Sequence, residues 1–245
     1  MANFKTHITA STVLGIGYGA GAFLLWDIPF EQCVIAAGFC SVAGMLPDLD
    51  SDSGIPVRET LCFLSAVIPA LMIPRFEALH MTPEEIVFTS IVIYIAFRFG
   101  VGKLFKRYTV HRGMWHSIPA AAIAGLATYL ISFSPEFGIR IFKAWGVVMG
   151  FLTHLLLDEM YSVDLKGRKL PRLKKSFGTA LKFFSKSAWG NVSTYGKLAI
   201  LIVIAMGDSN IMAFFDAQPI NLQALTAPTR EYIGELGKEI EPFIR

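Results

Sequence analysis

His154 and Asp158 stand four residues apart in the run Gly150-Phe151-Leu152-Thr153-His154-Leu155-Leu156-Leu157-Asp158. On a helix this spacing puts both side chains on one face. There an imidazole nitrogen and a carboxylate oxygen can take one divalent cation, or one group can orient the other. Alone, such a pair is more often a hydrogen bond that satisfies both groups. Asp48 and Asp50 follow Pro47 in Leu46-Pro47-Asp48-Leu49-Asp50. Two carboxylates one residue apart repel unless a cation lies between them; without one they form a solvated acidic turn. His111 and His116 flank Gly113, whose flexibility can bring two imidazoles together, and Arg112 beside them offers a planar fork suited to phosphate. Read separately, these are interfacial histidines and a basic residue that sets topology. His7 makes a fourth cluster, and His80 belongs to none.

The elements that must position these groups are apolar. Hydrophobic residues make up 53% of the 245-residue chain and charged residues 17%, with a mean hydropathy of +0.52. Soluble domains carry roughly 25% charged residues, so the composition excludes a water-covered globule, and low charge with abundant Phe excludes disorder. An all-α, polytopic membrane protein remains. Seven apolar runs read as spans: Ile8–Leu25, Cys33–Leu46, Leu61–Ile73, Ile86–Gly102, Ser117–Phe133, Ile141–Leu157 and Leu198–Phe215. Pro69 and Pro74 are expected to kink or end the third. Asp208, Ser209 and Asn210 flaw the seventh, so the expectation is six to seven transmembrane helices. The first run exceeds the roughly 7–15 apolar residues of a signal peptide and lacks a clean cleavage site, so it reads as a retained span. Cys33, Cys40 and Cys62 show no paired spacing and read as buried or lipid-facing hydrophobes.

If the spans alternate, one side collects fifteen Lys and Arg residues and the other six, among them Arg75, Arg140 and Lys143. The richer side is cytoplasmic by the positive-inside rule, which places the N-terminus on the cytoplasmic side of the inner (cytoplasmic) membrane. His7, the Asp48–Asp50 turn, the His111–His116 segment and His154–Asp158 then all lie at cytoplasmic span ends. Ionisable groups at membrane depth are costly and usually face a shared interior. Groups arriving from four segments therefore point to one metal site. The expected organisation is a membrane core over 1–163, a basic cytoplasmic insert over 164–197, a last helix over 198–216 and a polar tail over 217–245. Within the insert, Leu173–Phe184 interleaves Lys174, Lys175 and Lys182 with Phe177, Phe183 and Phe184. Such a segment lies flat on anionic lipid, or serves only to enforce topology. Nucleic acid is disfavoured as a partner, because no recognised binding module accompanies the charge.

The motifs Leu46-Pro47-Asp48-Leu49-Asp50, His111-Arg112-Gly113-x-x-His116-Ser117 and Gly150-x-x-x-His154-Leu155-Leu156-Leu157-Asp158, with His7 after Thr6, resemble the YdjM-type membrane-bound metal-dependent hydrolases over about residues 6–160. These are described as inner-membrane hydrolases, one of which binds the LexA repressor. The resemblance implies a polar site of His7, Asp48, Asp50, His111, His116, His154 and Asp158, and a cytosolic protein partner. Trp115 departs from the Thr usual there, and the chain after Asp158 departs from the family's Gly-containing continuation. The expected activity is hydrolysis dependent on a divalent ion, Zn by its imidazoles, with Mn or Mg open through the carboxylates. Arg112, His116 and Asp158 are the catalytic candidates, Arg112 neutralising developing charge and the others moving protons. The expected substrate is an anionic or lipid-like phosphoester of the membrane. The alternatives are a non-catalytic, metal-stabilised scaffold and, third, a transporter, whose site would lie nearer the bilayer midplane.

Overall fold

The computed structural model describes residues 3–50, 55–101, 114–164, 172–173 and 181–217. Among these, the chain is all-α: α1 Phe4–Trp26, α2 Phe30–Ala43, α3 Ile55–Ala78, α4 Pro83–Ile95, α5 Ile118–Ile131, α6 Phe137–Met160, α7 Ala188–Met206 and α8 Ser209–Ala217. A 3₁₀ turn covers Leu46–Asp50, and α4 runs into a π-helical stretch over Ala96–Val101. Val163–Asp164 and Arg172–Leu173 form a two-residue antiparallel ladder. Four helices are long and apolar enough to cross a membrane: Phe4–Trp26, Val57–Ala78, Phe137–Met160 and Ala188–Met206. The two shorter apolar helices are Phe30–Ala43 and Ile118–Ile131.

Small residues decide how α1, α2 and α6 pack. The buried face of α1 is His7, Ser11, Gly15, Gly19 and Ala22, nearly one residue per turn. A Cβ at Gly15 would lie 2.5 Å from the Ala37 carbonyl oxygen of α2, and one at Gly150 of α6 would collide with the Cys40 carbonyl oxygen. Apolar helices in lipid gain nothing by hiding from water, so close backbone approach through small residues is their main source of packing. Hydroxyls fasten the same contacts: Ser11 Oγ donates to the Ser41 carbonyl at 2.8 Å, and Tyr18 Oη to the Phe142 carbonyl at 2.8 Å. Helix α5 packs on α6, while Phe39, Ala43 and Val147 meet Val67, Leu71 and Ala124 where α2, α3, α5 and α6 come together.

Several boundaries differ from the sequence expectation. Helix α3 runs through Pro69 and Pro74 without ending. Each proline removes one hydrogen bond, but breaking the helix in an apolar surround would strand many more backbone groups. Helix α6 starts at Phe137, four residues before the apolar run, so Arg140 lies within it and not in a loop, and Lys143, one of the flanking charges in the sequence count, is inside the helix as well. Both are buried, and Arg140 donates to the Tyr129 carbonyl through Nε (3.3 Å) and Nη2 (3.2 Å), with its guanidinium 4.0 Å from the Tyr129 ring centroid. Ring and carbonyl together provide a place for a cation that hydropathy cannot register. The last apolar run is divided: α7 covers Ala188–Met206, and α8 is a separate nine-residue helix. Asp208 opens α8 by accepting from the Asn210 amide at 3.0 Å. The stretch read as an insert up to residue 197 is thus helical from Ala188 onward.

The close approach at Gly150 gives a matched test. Gly150→Ala should destabilise the fold by about 1–3 kcal/mol through overpacking. Gly21→Ala in α1, where a Cβ meets nothing within 4 Å, should be neutral or stabilising by up to about 1 kcal/mol. Thermal unfolding in detergent measures both, and equal shifts would show that the α2–α6 contact is not limited by Gly150.

Candidate metal centre

The two small-residue faces end in polar groups. On α1 the buried stripe begins at His7, and on α6 the four-residue stepping Gly146-Gly150-His154-Asp158 carries the helix contact into an imidazole and a carboxylate. The chain after α2 turns through Gly44 into the 3₁₀ turn that holds Asp48. His116 precedes Ser117, which caps α5 by accepting from the Ala120 amide at 3.4 Å. Because α1 and α5 begin where α2 and α6 end, four helix termini deliver their polar residues to one place.

The distances define that place. His7 Nε2 lies 3.3 Å from Asp158 Oδ1, and His154 Nε2 lies 3.8 Å from Asp158 Oδ2. Asp48 Oδ1 is 3.6 Å from His154 Nε2 and 3.8 Å from His116 Nε2. The His7 and His154 rings stack at 3.7 Å with 12° between their planes, while His116 meets His154 edge-on at 5.7 Å. His7, His116, His154 and Asp158 are buried, and Asp48, with 21% of its side chain exposed, is the more open wall.

His154 shows most directly what these groups can hold. Its Nδ1 lies 2.7 Å from the Gly44 carbonyl oxygen. A carbonyl only accepts, so Nδ1 carries the proton and Nε2 keeps its lone pair. That buried Nε2 has no hydrogen-bond partner among the described residues and faces the gap between Asp48 and Asp158. A backbone carbonyl behind the imidazole is the support that metal-binding histidines commonly have. The separations of 3.3–3.8 Å exceed ordinary hydrogen bonds. They suit donors that share a cation, since bonds of about 2.0–2.2 Å place two ligands roughly 3–3.5 Å apart. Two overlapping triads arise, His7–His154–Asp158 and Asp48–His116–His154. The single lone pair of His154 Nε2 serves one ion. The five groups therefore describe either one ion or a pair in which only one draws on His154.

Burial pushes the Asp48 carboxyl up, but the nearby His116 side chain, the largest opposing influence, helps leave the group below its ordinary value. At 3.8 Å the His116 contribution is a polar approach and not a tight hydrogen bond. Asp48 is thus ionised at neutral pH, as an oxygen ligand must be.

Of the residues expected from sequence, the structure brings together His7, Asp48, His116, His154 and Asp158. His111 and Arg112 lie outside the described residues, as does the side chain of Asp50. His80 sits in an exposed turn after α3 with φ 57°. Sequence reasoning missed Gly44, whose carbonyl holds His154 and where a Cβ would collide with Ser11. It also missed the task of Trp115. The indole Nε1 donates to the Leu46 carbonyl at 2.8 Å, tying the Asp48 turn to the His116 segment. The ring packs edge-on against Phe151 of α6 at 6.1 Å. Its place beside His116 was the one available signal.

Removing a shared ligand should empty the centre. His154→Ala and Asp158→Ala should each lower the divalent metal retained by purified protein at least about tenfold, a loss comparable with disrupting a metal's ligand support. His80→Ala should leave it unchanged. Elemental analysis reads the result, and stoichiometric metal in both variants would make the pair structural.

A sequence profile described as YdjM inner membrane protein matches residues 1–217. The likeness thus continues past residue 160, through the basic stretch and the helices after it. No curated protein and no solved structure shows a significant match to the chain. With a match over most of its length, the chain belongs to the YdjM inner membrane protein family.

Proposed function

We propose that this protein is a membrane-bound hydrolase that works with a divalent metal at the cytoplasmic face, on a phosphoester or lipid-type substrate. The carrying observation is the buried, lone-pair-bearing Nε2 of His154, facing a gap walled by two carboxylates. When bound, a divalent cation supplies Lewis acidity and lowers the pKa of water toward neutrality. The chain's own residues do the rest. His154 is fixed in one tautomer by Gly44. Asp158, held between His7 and His154, is placed to accept a proton from an attacking water, with the imidazoles spreading the charge. His116, at the start of α5, is positioned to return a proton to a leaving group. Arg112, four residues earlier, supplies a fork for an oxyanion. Zn suits the imidazole-rich set, with Mn or Mg admitted by the carboxylates.

A metal-stabilised scaffold is the second reading, favoured by the near-complete burial of His7, His116 and His154. A transport role fits less well, since the site lies at helix ends and not at mid-depth. Purified protein should release phosphate or fatty acid from lipid substrates only with divalent metal present. Arg112→Lys should lower turnover at low and high salt alike, because it keeps charge but loses the planar fork. Metal retention without any turnover would favour the scaffold.

The same reading takes the protein as crossing the inner membrane six or seven times with its N-terminus cytoplasmic. Helix α1, with 23 residues, is about 34 Å long at 1.5 Å per residue, enough for a core of about 30 Å. The basic asymmetry supports the orientation, even though Arg140 and Lys143 leave the count on the poorer side and Lys197 on the richer. Exposed Phe183, Phe184 and Trp189 beside Lys182 and Lys186 suit a segment resting on the lipid interface. The basic stretch after Asp164 is then the membrane-facing module, with a cytosolic protein as its other partner. An impermeant thiol reagent applied outside should label Cys introduced at Glu136 and spare one at Gly167. The reverse pattern would invert the protein.

A further inference from the structure

A cavity of about 280 Å³ lies between α2, α3, α5 and α6. Its lining is hydrocarbon almost throughout. Thr128 turns its hydroxyl back to the Ala124 carbonyl at 2.8 Å, and the Trp115 indole is committed to Leu46. Only Ser132, at the deep end, has a hydroxyl without a hydrogen-bond partner among the described residues. Along α3 the lining runs from Leu61 to Leu71, about 15 Å at 1.5 Å per residue. That is about half of a hydrocarbon core of ~30 Å, the depth of one leaflet. The shallow end is formed by Leu46, Leu49 and Trp115. Leu46 and Leu49 stand either side of Asp48, and Trp115 immediately precedes His116, so cavity and metal centre share one turn and one segment.

We infer that this cavity is the hydrocarbon-chain subsite of the centre: it takes one alkyl chain of a membrane lipid whose oxyanion head group would meet the cation that Asp48 and His116 would hold. The inference rests on the hydrolase reading for the head group, while the chain subsite rests on the cavity alone. Apolar cavities of this kind stay dry and accept apolar ligands, and within a bilayer the available ligand is a lipid chain. Its length matches one leaflet, and its continuity with Asp48 and His116 fixes which end meets the head. Phe183, Phe184 and Trp189 set the interface near that end: the Ile118 amide of α5 donates to the Lys182 carbonyl at 3.1 Å, which holds the aromatic segment beside the site.

The test uses the full-length protein in lipid nanodiscs and hexadecyl phosphate with a photoreactive group at the chain terminus. Label should concentrate on the cavity-facing residues of α3 and α5, such as Leu71 and Ile131, and excess inorganic phosphate should not displace the chain. Ala127→Trp fills the cavity and should lower that labelling about tenfold, equivalent to about 1.4 kcal/mol. Ala122→Trp, on the exposed face of the same helix, should leave it unchanged. Ala124→Leu is a smaller filler for the case in which the Trp variant does not fold, and retained metal content reports folding in all three. Equal labelling in filled and unfilled protein, or label spread over the exposed face of α7, would overturn the inference. Labelling of the unsubstituted, metal-loaded protein that shows no turnover at any metal concentration would keep the chain subsite and defeat the hydrolase reading. Metal-dependent cleavage of a short, soluble phosphoester without chain labelling would do the opposite.

Discussion

The absence of a Cβ at Gly15, Gly19, Gly146 and Gly150 is the constraint on which the centre depends. Helix α2 lies against two glycine-bearing faces, with its Cys33, Ala36, Ala37 and Cys40 carbonyls where side-chain carbons would otherwise be. In lipid this contact has no hydrophobic driving force and stands on dispersion and a few hydroxyl bonds. Any outward displacement of α1 or α6 would be carried along the same stripes to His7, His154 and Asp158. A set of donors 3.3–3.8 Å apart tolerates little of that. Packing and ligand geometry are therefore one arrangement seen at two heights in the membrane.

Much of the site was legible because membrane proteins spend ionisable residues sparingly. The i, i+4 spacing of His154 and Asp158, the Pro47 turn with Asp48, and His116 at a helix start each identified a span end. Alternation of spans then required the ends to meet. What could not be read is carried by groups with no side-chain signature. The Gly44 carbonyl that sets the His154 tautomer belongs to the backbone, and the glycine faces look like ordinary small residues in an apolar run. Trp115 stood out only as an unusual neighbour of His116, and its brace to Leu46 depends on a contact across about 70 residues.

The fold was legible in its class and less so in its boundaries. Hydropathy marks where residues prefer lipid, whereas helices end where caps and partners allow. Arg140 sits inside α6 because the helix begins before the apolar run and Arg140 finds the Tyr129 ring and carbonyl. Pro69 and Pro74 stay inside α3 because a continuous helix leaves fewer stranded carbonyls than a broken one. The seventh run divides because Gly207 and Asp208 offer a stop and a new cap.

The order of the ligands along the chain has a consequence for biosynthesis. His7 and Asp48 emerge first and His116 later, with His154 and Asp158 last, about 150 residues after the first. At roughly 5–20 residues per second, the early ligands wait about five to thirty seconds for the last of their partners. During that interval the first helical hairpin holds a histidine and a carboxylate with too few donors to retain an ion. If the proposed centre holds an ion, its capture would be a late event in maturation, open only to chains whose sixth helix has been inserted and docked against the second.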